Sequence, residues 1–240
     1  MSILITICAR GGSKGIPGKN IKILNKKPLI GYTIDTAKKF QKHVENTDIA
    51  LSTDSQEIKR ASEDCGLYTT YTRPDSLAGD TAGKIDVIAD VLKYYQREFA
   101  KQYDYVLDMD VTSPLRNLDD LFKGFELLKN NPEAVNLFSV SPASRSPYFN
   151  MVEQKSNGFF AQVKIPENGI LTRQSAPAVY DMNASFYFYR SSFFEKGYKG
   201  AVTDKSLVYI VPHICFDLDH PVDFEFLSYL MDNHKLDFEL

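Results

Sequence analysis

The chain has 240 residues, 43% of them hydrophobic, and a formal net charge of −3. That size and apolar content suit one α/β domain with room for a small insertion. The charge argues against nucleic acid as the main partner, and no apolar run approaches the roughly 20 residues that a membrane span needs.

The first element is an apolar run, Ile3 to Cys8, which breaks into Ala9-Arg10-Gly11-Gly12-Ser13-Lys14-Gly15-Ile16-Pro17-Gly18-Lys19-Asn20. This pattern predicts a buried strand entering a phosphate cradle. Glycines let the backbone approach an anion and aim several N–H groups at it. Arg10, Lys14 and Lys19 add three positive charges, which would balance the roughly four negative charges of a triphosphate. Two common templates fail. The P-loop requires glycine at position 13 and a hydroxyl residue after Lys19, but Ser13 and Asn20 stand there. The dinucleotide fingerprint needs glycines at i, i+2 and i+5, and no triplet in the loop supplies them.

A helix is expected from Pro28 to Phe40, then a strand Asp48 to Ser52 and a helix Gln56 to Cys65 after the cap residues Thr53-Asp54-Ser55. Leu67 to Thr72 reads as a third strand, so the order is β-α-β-α-β, the sign of a parallel doubly wound sheet. Arg73 to Ala82 reads as a loop delivering the chain to a helix capped by Asp80 or Thr81 and running to Phe99. The strand Tyr103 to Asp110 ends in Asp108 and Asp110, which share one side. Carboxylates on an apolar strand need a cation or a ligand, because burying them unpaired is costly. A helix from Leu118 to Lys129 and a strand Ala134 to Val140 follow.

From residue 141 to 178 the pattern changes to prolines and short alternating pieces, Tyr148 to Glu153 and Phe159 to Val163, around Ser156-Asn157-Gly158. This reads as an inserted β-rich arm. Its aromatic residues would be poorly covered in an isolated hairpin, and a second subunit would cover them. Strands Phe186 to Arg190 and Ser206 to Val211 come next. Ile214 to Asp219 then carries Asp217 and Asp219 on one face, and Pro221 opens a final helix to Asn233. Two carboxylates of this kind suit Mg²⁺, a hard ion that also takes phosphate oxygens and water. Cys8, Cys65 and Cys215 are odd in number and widely spaced, and no signal peptide precedes the first strand. Both features point to reduced thiols in a cytoplasmic protein.

The run ARGGSKGIPGKN closely resembles the signature of the acylneuraminate cytidylyltransferases (CMP-sialic acid synthetases), which activate nine-carbon 2-keto sugar acids with CTP. The resemblance implies an α/β, Rossmann-like, doubly wound and mostly parallel sheet of the nucleotide-diphospho-sugar transferase type, with residues 141–178 as a dimerisation arm. It implies that Arg10, Gly11, Gly12, Ser13, Lys14 and Asn20 hold the nucleotide. The segment Arg73-Pro74-Asp75-Ser76-Leu77-Ala78-Gly79-Asp80 is similar to the family's R-P-x-x-L-A-x-D, which lines the cytosine pocket. Arg73, Ala78, Asp80 and Ala82 are the residues expected there.

Thr112-Ser113-Pro114-Leu115-Arg116 resembles the family's T-S-P-L-R, although Asp110-Val111 stands where Gln-Pro is usual. With Ser146-Pro147-Tyr148-Phe149-Asn150-Met151-Val152-Glu153 downstream, this segment is more similar to the legionaminic acid branch. Asp110, Thr112 and Ser113 are then expected on the acceptor side. Arg173-Gln174 and Tyr180-x-x-Asn183 resemble the family's sugar-pocket segment, with Ala184 in place of glycine. Arg173 would pair with the sugar carboxylate, with Gln174, Asn183 and Tyr187 beside it. The matching D-x-D makes Asp217 and Asp219 the metal ligands, with Asp110 a candidate third carboxylate.

The reaction so implied is direct attack of a sugar hydroxyl on the α-phosphate of CTP, with Arg10, Lys14, Lys19, Asp217 and Asp219 as the catalytic set. A metal-bound hydroxide and Asp219 are both candidates for the general base. Two alternatives stand beside it. One is an enzyme of the same fold acting on 3-deoxy-manno-octulosonate or another sugar. The other is a nucleotide-binding regulator without chemistry.

Overall fold

The structure, a computed structural model, describes residues 1–12, 15–79, 81–165 and 172–240, without the Arg173 side chain. Ser13, Lys14, Asp80 and the Arg173 side chain, all named above, lie outside the described residues. In chain order, β1 (Ile3–Cys8) leads to a small hairpin, β2 (Ile23–Leu24) with β3 (Lys27–Pro28), and to α1 (Leu29–His43). Next come β4 (Thr47–Ser52), α2 (Gln56–Asp64), α3 (Lys84–Glu98), β5 (Tyr105–Met109), α4 (Leu118–Lys129) and β6 (Asn136–Pro142). A second hairpin, β7 (Val152–Gln154) with β8 (Phe160–Gln162), precedes β9 (Tyr180–Arg190), α5 (Ser191–Glu195), β10 (Ser206–Ile210) and α6 (Pro221–Asp232).

Six strands form one sheet in the order β10-β6-β9-β5-β1-β4, parallel except for β9, which runs antiparallel to both neighbours. This is the mostly parallel α/β sheet that the alternation of elements predicts. Alternation along each strand decides the layers. Ile3, Ile5 and Ile7 of β1 pack with α1, α4 and α6, whereas Leu4 packs with α3 and α5 on the other face. The chain steps from β1 outward to β4, then returns to β5 on the opposite side of β1. The loops leaving β1 and β5 therefore diverge, and a crevice opens at their carboxyl ends, where such sheets bind ligands.

Two expected elements differ. Leu67 to Thr72 joins no sheet among the described residues. Thr69 explains why: its hydroxyl donates to the Leu51 carbonyl (3.2 Å) and accepts the Tyr71 N–H (3.2 Å). A side chain thus takes the positions that a ladder partner would fill. Helix α3 begins at Lys84 with Gly83 as its N-cap, later than a cap at Asp80 or Thr81 would start it. By contrast, α4 spans the expected residues and is closed by a reciprocal capping box between Asn117 and Asp120.

Asp120 also organises the far end of the sheet. Its side chain is buried and accepts from Tyr209 Oη (3.2 Å) and from His213 Nε2 (2.8 Å). His213 Nδ1 lies 3.0 Å from the Ile214 carbonyl, which can only accept, so both ring nitrogens are placed to donate, an arrangement that favours the charged imidazole. Phe238 stacks on the ring at 3.7 Å between centroids. Burial opposes the charge, but Asp120 and the Ile214 carbonyl hold His213 above its usual range. A raised folded pKa stabilises fully below the unfolded value, about 6.5, and the benefit is lost as pH rises through the folded value. The melting-temperature difference between wild type and His213→Gln is therefore expected to be largest in mild acid and to shrink in alkali. A difference that does not vary with pH would contradict the charged pair.

Candidate active site

The crevice between β1 and β5 is a cleft of about 460 Å³. Its wall on the β1 side is the glycine loop. Gly11 donates its N–H to Asp54 Oδ1 (2.9 Å), and Asn20 Nδ2 donates to the Arg10 carbonyl (2.9 Å), so the loop is braced at both ends. Gly15 meets a steric limit, since a Cβ there would lie 2.3 Å from the Asp219 carbonyl oxygen. Only glycine permits that approach. Lys19 Nζ donates to the Leu218 carbonyl (2.6 Å) and lies 3.5 Å from Asp219 Oδ1. The loop and the segment carrying Asp217 and Asp219 are thereby stitched together.

Arg10, Lys19 and Asn20 line this cleft, as do Arg73 and Ala82 from the loop before α3. Arg73 is buried, with Nε donating to Ser52 Oγ (3.0 Å) and Nη2 to the Ser52 carbonyl (2.9 Å). Gly79, rather than Ala78, reaches the lining, and Gly12 stands in open space.

The β5 side is built on charge. Asp108 is fully buried and points toward α3, between its register partners Thr6 on β1 and Tyr187 on β9. Its Oδ1 accepts the Thr6 hydroxyl (2.7 Å). Lys84 Nζ lies 2.9 Å from Asp108 Oδ2 and 2.7 Å from Asp110 Oδ2, and 5.0 Å above the Tyr187 ring. The contact with Asp108 is an ion pair without hydrogen-bond geometry, so Asp108 Oδ2 has a counter-charge but no hydrogen bond among the described residues. Burial works against ionising Asp110, but Lys84 and two bonds from Thr112 bring it down to about 2. Burial likewise opposes the charge on Lys84, and Asp108 and Asp110 outweigh it and hold the ammonium well above its usual range.

Lys84 is the residue that the sequence reading missed. The signal was available: Lys84 stands on the same helical stripe as Ile88, Val91 and Tyr95, all buried. A lysine on a core stripe demands a buried partner. It also changes the reading of Asp110. Oδ2 of Asp110, the candidate third metal ligand, has an ammonium partner at 2.7 Å.

Beneath the cleft lies Arg116, fully buried and paired with no carboxylate among the described residues. Nη1 donates to the carbonyls of Ser113 (2.6 Å) and Ser185 (2.7 Å), and Nη2 to Thr33 Oγ1 (2.7 Å) and the Asp110 carbonyl (2.7 Å). It binds the β5 loop to β9 and α1 from below. Ser113 is buried, its hydroxyl donating to the Phe216 carbonyl (3.3 Å), while Thr112 reaches the cleft.

Asn183 is turned into the sheet. It accepts from Ser139 Oγ (2.6 Å) and donates to Ser141 Oγ (3.0 Å), where β6 and β9 shift register. Its amide is thus occupied away from the cleft lining. Tyr187 is buried beneath Lys84 and supports it rather than lining the cleft. Gln174 is exposed on a short 3-10 helix, Arg173–Ser175, outside the lining.

Asp217 and Asp219 flank the fully buried Leu218, whose N–H donates to the Thr112 carbonyl (2.9 Å). Asp219 lines the cleft, and Asp217 is half-buried behind it. Burial, and then the charges of Asp110 and Asp219, push Asp217 up against the pull of Thr112 and Lys19. Crowded carboxylates of this kind fit a hard cation. Among the described residues no three His, Cys, Asp or Glu side chains converge as a complete cage. Two carboxylates plus phosphate oxygens make one unnecessary for Mg²⁺.

The Arg116 network gives a direct test. Arg116→Met removes a charged donor from four acceptors, each such bond being worth about 1.5–3 kcal/mol, while the Asp110, Ser185 and Ser113 carbonyls keep bonds from Thr33 Oγ1, the Asp110 N–H and Ser185 Oγ. Urea denaturation is expected to show a loss of about 3 kcal/mol or more, and a loss below about 1 kcal/mol would refute the assignment.

The residues 4–233 match the family model described as Cytidylyltransferase. The chain is 38% identical over 236 residues to post-translational flagellin modification protein B of Campylobacter coli, covering 98% of this chain and 97% of the relative. It is 37% identical over 236 residues, with the same coverages, to a CMP-N,N'-diacetyllegionaminic acid synthase of Campylobacter jejuni. Among solved structures, a CMP:2-keto-3-deoxy-manno-octonic acid synthetase complexed with CTP superposes with a TM-score of 0.69 at 16% identity, over 98% of this chain and 100% of that one. At that identity the likeness is one of fold. Sequence signature, sheet topology and cleft agree, and the chain belongs to the cytidylyltransferase family.

Proposed function

We propose that the protein transfers CMP from CTP to the anomeric hydroxyl of a nine-carbon 2-keto sugar acid of the legionaminate type, releasing pyrophosphate. The observation that carries this reading is the meeting of Arg10, Lys19 and Arg73 with Asp219 around one cleft at the carboxyl ends of β1 and β5. The 37% identical legionaminic acid synthase favours that acceptor over other sugars.

One bond forms, between the sugar oxygen and the α-phosphorus, and one breaks, from the α-phosphorus to the bridging oxygen of pyrophosphate. The hydroxyl proton passes to a general base, for which Asp219 is the candidate among the described cleft residues. Arg10 and Lys19, with Lys14 in the same loop, hold the triphosphate and offset its charge. Arg73 and the loop to Ala82 receive the base. Asp217 and Asp219 would hold Mg²⁺, which supplies neutralising charge at the α-phosphate when bound. Cys8 lines the cleft, but burial and the Asp108 charge push its thiol up, so it stays protonated and is a poor nucleophile. Direct transfer without an enzyme-bound intermediate follows from that.

The protein acts as a homodimer in this reading. Phe159, Phe160 and Ile165 of the arm are 75%, 66% and 76% exposed, an apolar surface that a second copy would cover. A cytoplasmic setting is supported by three free cysteines, and among the described residues no helix is long and apolar enough to cross a membrane.

Pyrophosphate release with CTP and Mg²⁺ is the test, run in parallel on diacetyl-legionaminate, N-acetylneuraminate, pseudaminate and the octulosonate. Activity with a nine-carbon acid is expected, and activity with the octulosonate alone would overturn the acceptor class. Arg10→Ala and Asp219→Asn are each expected to lower kcat by about 10²–10³ without unfolding the protein. Near wild-type rates in both would sink the scheme. Phe159→Asp with Phe160→Asp is expected to shift the dimer to monomer in sedimentation velocity, and an unchanged dimer would remove the arm from the interface.

A further inference from the structure

We infer that Lys19 keeps Asp217 and Asp219 from taking a divalent cation until CTP binds. Its ammonium is a counter-charge for Asp219 in the free protein, and the triphosphate offsets that ammonium. This rests on the reading above, in which the two carboxylates hold Mg²⁺, and adds a rule of order: the cation enters with the nucleotide and not ahead of it.

The placement of one charge carries the inference. Lys19 Nζ donates to the Leu218 carbonyl at 2.6 Å and lies 3.5 Å from Asp219 Oδ1. The Lys19 side chain is 13% exposed, against 66% for Asp219. The ammonium thus stands on the protein side of a carboxylate that opens to the cleft. A cation on Asp219 would meet a full positive charge close by, and the two repel. The influence of Lys19 extends to Asp217, where burial pushes the carboxyl up and Lys19 pulls it the other way.

The ammonium is held from both sides. Lys19 opens a 3-10 turn, Lys19–Ile21, after Gly18 in the left-handed conformation (φ 62°), and its N–H donates to the Ile16 carbonyl (3.1 Å). Asn20, the next residue, is buried and braces the Arg10 carbonyl (2.9 Å). Leu218, which accepts the ammonium, is fully buried with its own N–H on the Thr112 carbonyl (2.9 Å). The close approach of Gly15 to the Asp219 carbonyl keeps loop and segment together.

An ammonium has three donors. One is on the Leu218 carbonyl and one is directed at Asp219, so the third is left for a phosphate oxygen. A triphosphate brings roughly four negative charges, which offset Lys19 and add oxygen ligands to the two carboxylates. The same lysine therefore weakens cation binding to the free protein and strengthens nucleotide binding. Its removal moves the two affinities in opposite directions, which a merely structural role would not do.

Mn²⁺ alone is the probe, since it too prefers oxygen ligands, and its binding to the full chain is read by loss of the free-ion electron paramagnetic resonance signal. CTP binding is read by calorimetry in EDTA. Lys19→Met is expected to bind Mn²⁺ without nucleotide about ten-fold or more tighter than wild type, and to bind CTP without metal about ten-fold or more weaker. Lys19→Gln, which keeps a donor but no charge, is expected to show the same gain in Mn²⁺ affinity. Lys19→Arg is expected to keep Mn²⁺ binding near that of wild type. Adding Asp219→Asn to Lys19→Met is expected to abolish the gain.

Mn²⁺ binding that is unchanged or weaker in folded Lys19→Met and Lys19→Gln overturns the inference, as does a gain that survives Asp219→Asn. Should Lys19→Met not fold, Lys19→Gln decides the matter. An Asp219→Asn variant whose affinity for Mn²⁺–CTP equals that of wild type would instead overturn the metal site itself, and the inference with it, so the two failures are told apart.

Discussion

Asp108 has no contact with water, and much of the site follows from that. A carboxylate inside a sheet either neutralises or finds a cation, because an uncompensated buried charge is costly by several kcal/mol. The cation is Lys84, and its reach decides where α3 must start. The helix begins at residue 84 so that its first side chain falls on the end of β5. Of the described residues before it, Asp75–Leu77 form a 3-10 turn, and Arg73, Gly79 and Ala82 line the crevice. Thr6 and Tyr187, on the two strands beside β5, complete the enclosure. A charge in the core thus shapes a binding surface that is itself polar and open.

Arg116 does a related task without a counter-ion. Its two terminal nitrogens are satisfied by carbonyls and hydroxyls, while Nε has no partner among the described residues; the bonds tie the β5 loop in place and draw on none of the carboxylates that line the cleft. Burial lowers its pKa to about 10, still far above neutrality, so the group stays charged. The two basic residues divide the work. Lys84 sets the electrostatics at the end of β5, and Arg116 sets the geometry of the loop that follows.

Much of this was legible in the sequence. The strand–loop at Ile3–Asn20, the order of the elements and the family itself all came from local pattern, because period-2 and period-3.6 alternation and turn chemistry are local. What was not legible depended on pairing across distance. The stretch Leu67–Thr72 has strand-like residues, yet a threonine hydroxyl satisfied the backbone that a neighbour would have paired. Asn183 looked like a ligand residue because its motif did, while the register shift between β6 and β9 needed its amide. Asp108 and Asp110 were flagged as carboxylates lacking a partner. The partner, 26 positions before Asp110, sat in plain view on an apolar stripe, and only the packing of α3 on β5 joined them.

The contact between Gly15 and the Asp219 carbonyl, with the Lys19 bond to Leu218, spans almost the whole chain; the Lys19 and Leu218 positions are 199 apart. It has a bearing on biosynthesis. While the protein is being made, the glycine loop leaves the ribosome early and β1 can find β4 soon after. The opposite wall of the cleft does not yet exist. The nascent chain can acquire most of its sheet without a finished nucleotide site, and the site is completed only when the last part of the sequence docks. Nucleotide therefore cannot template the early stages of folding; it can only lock the final one.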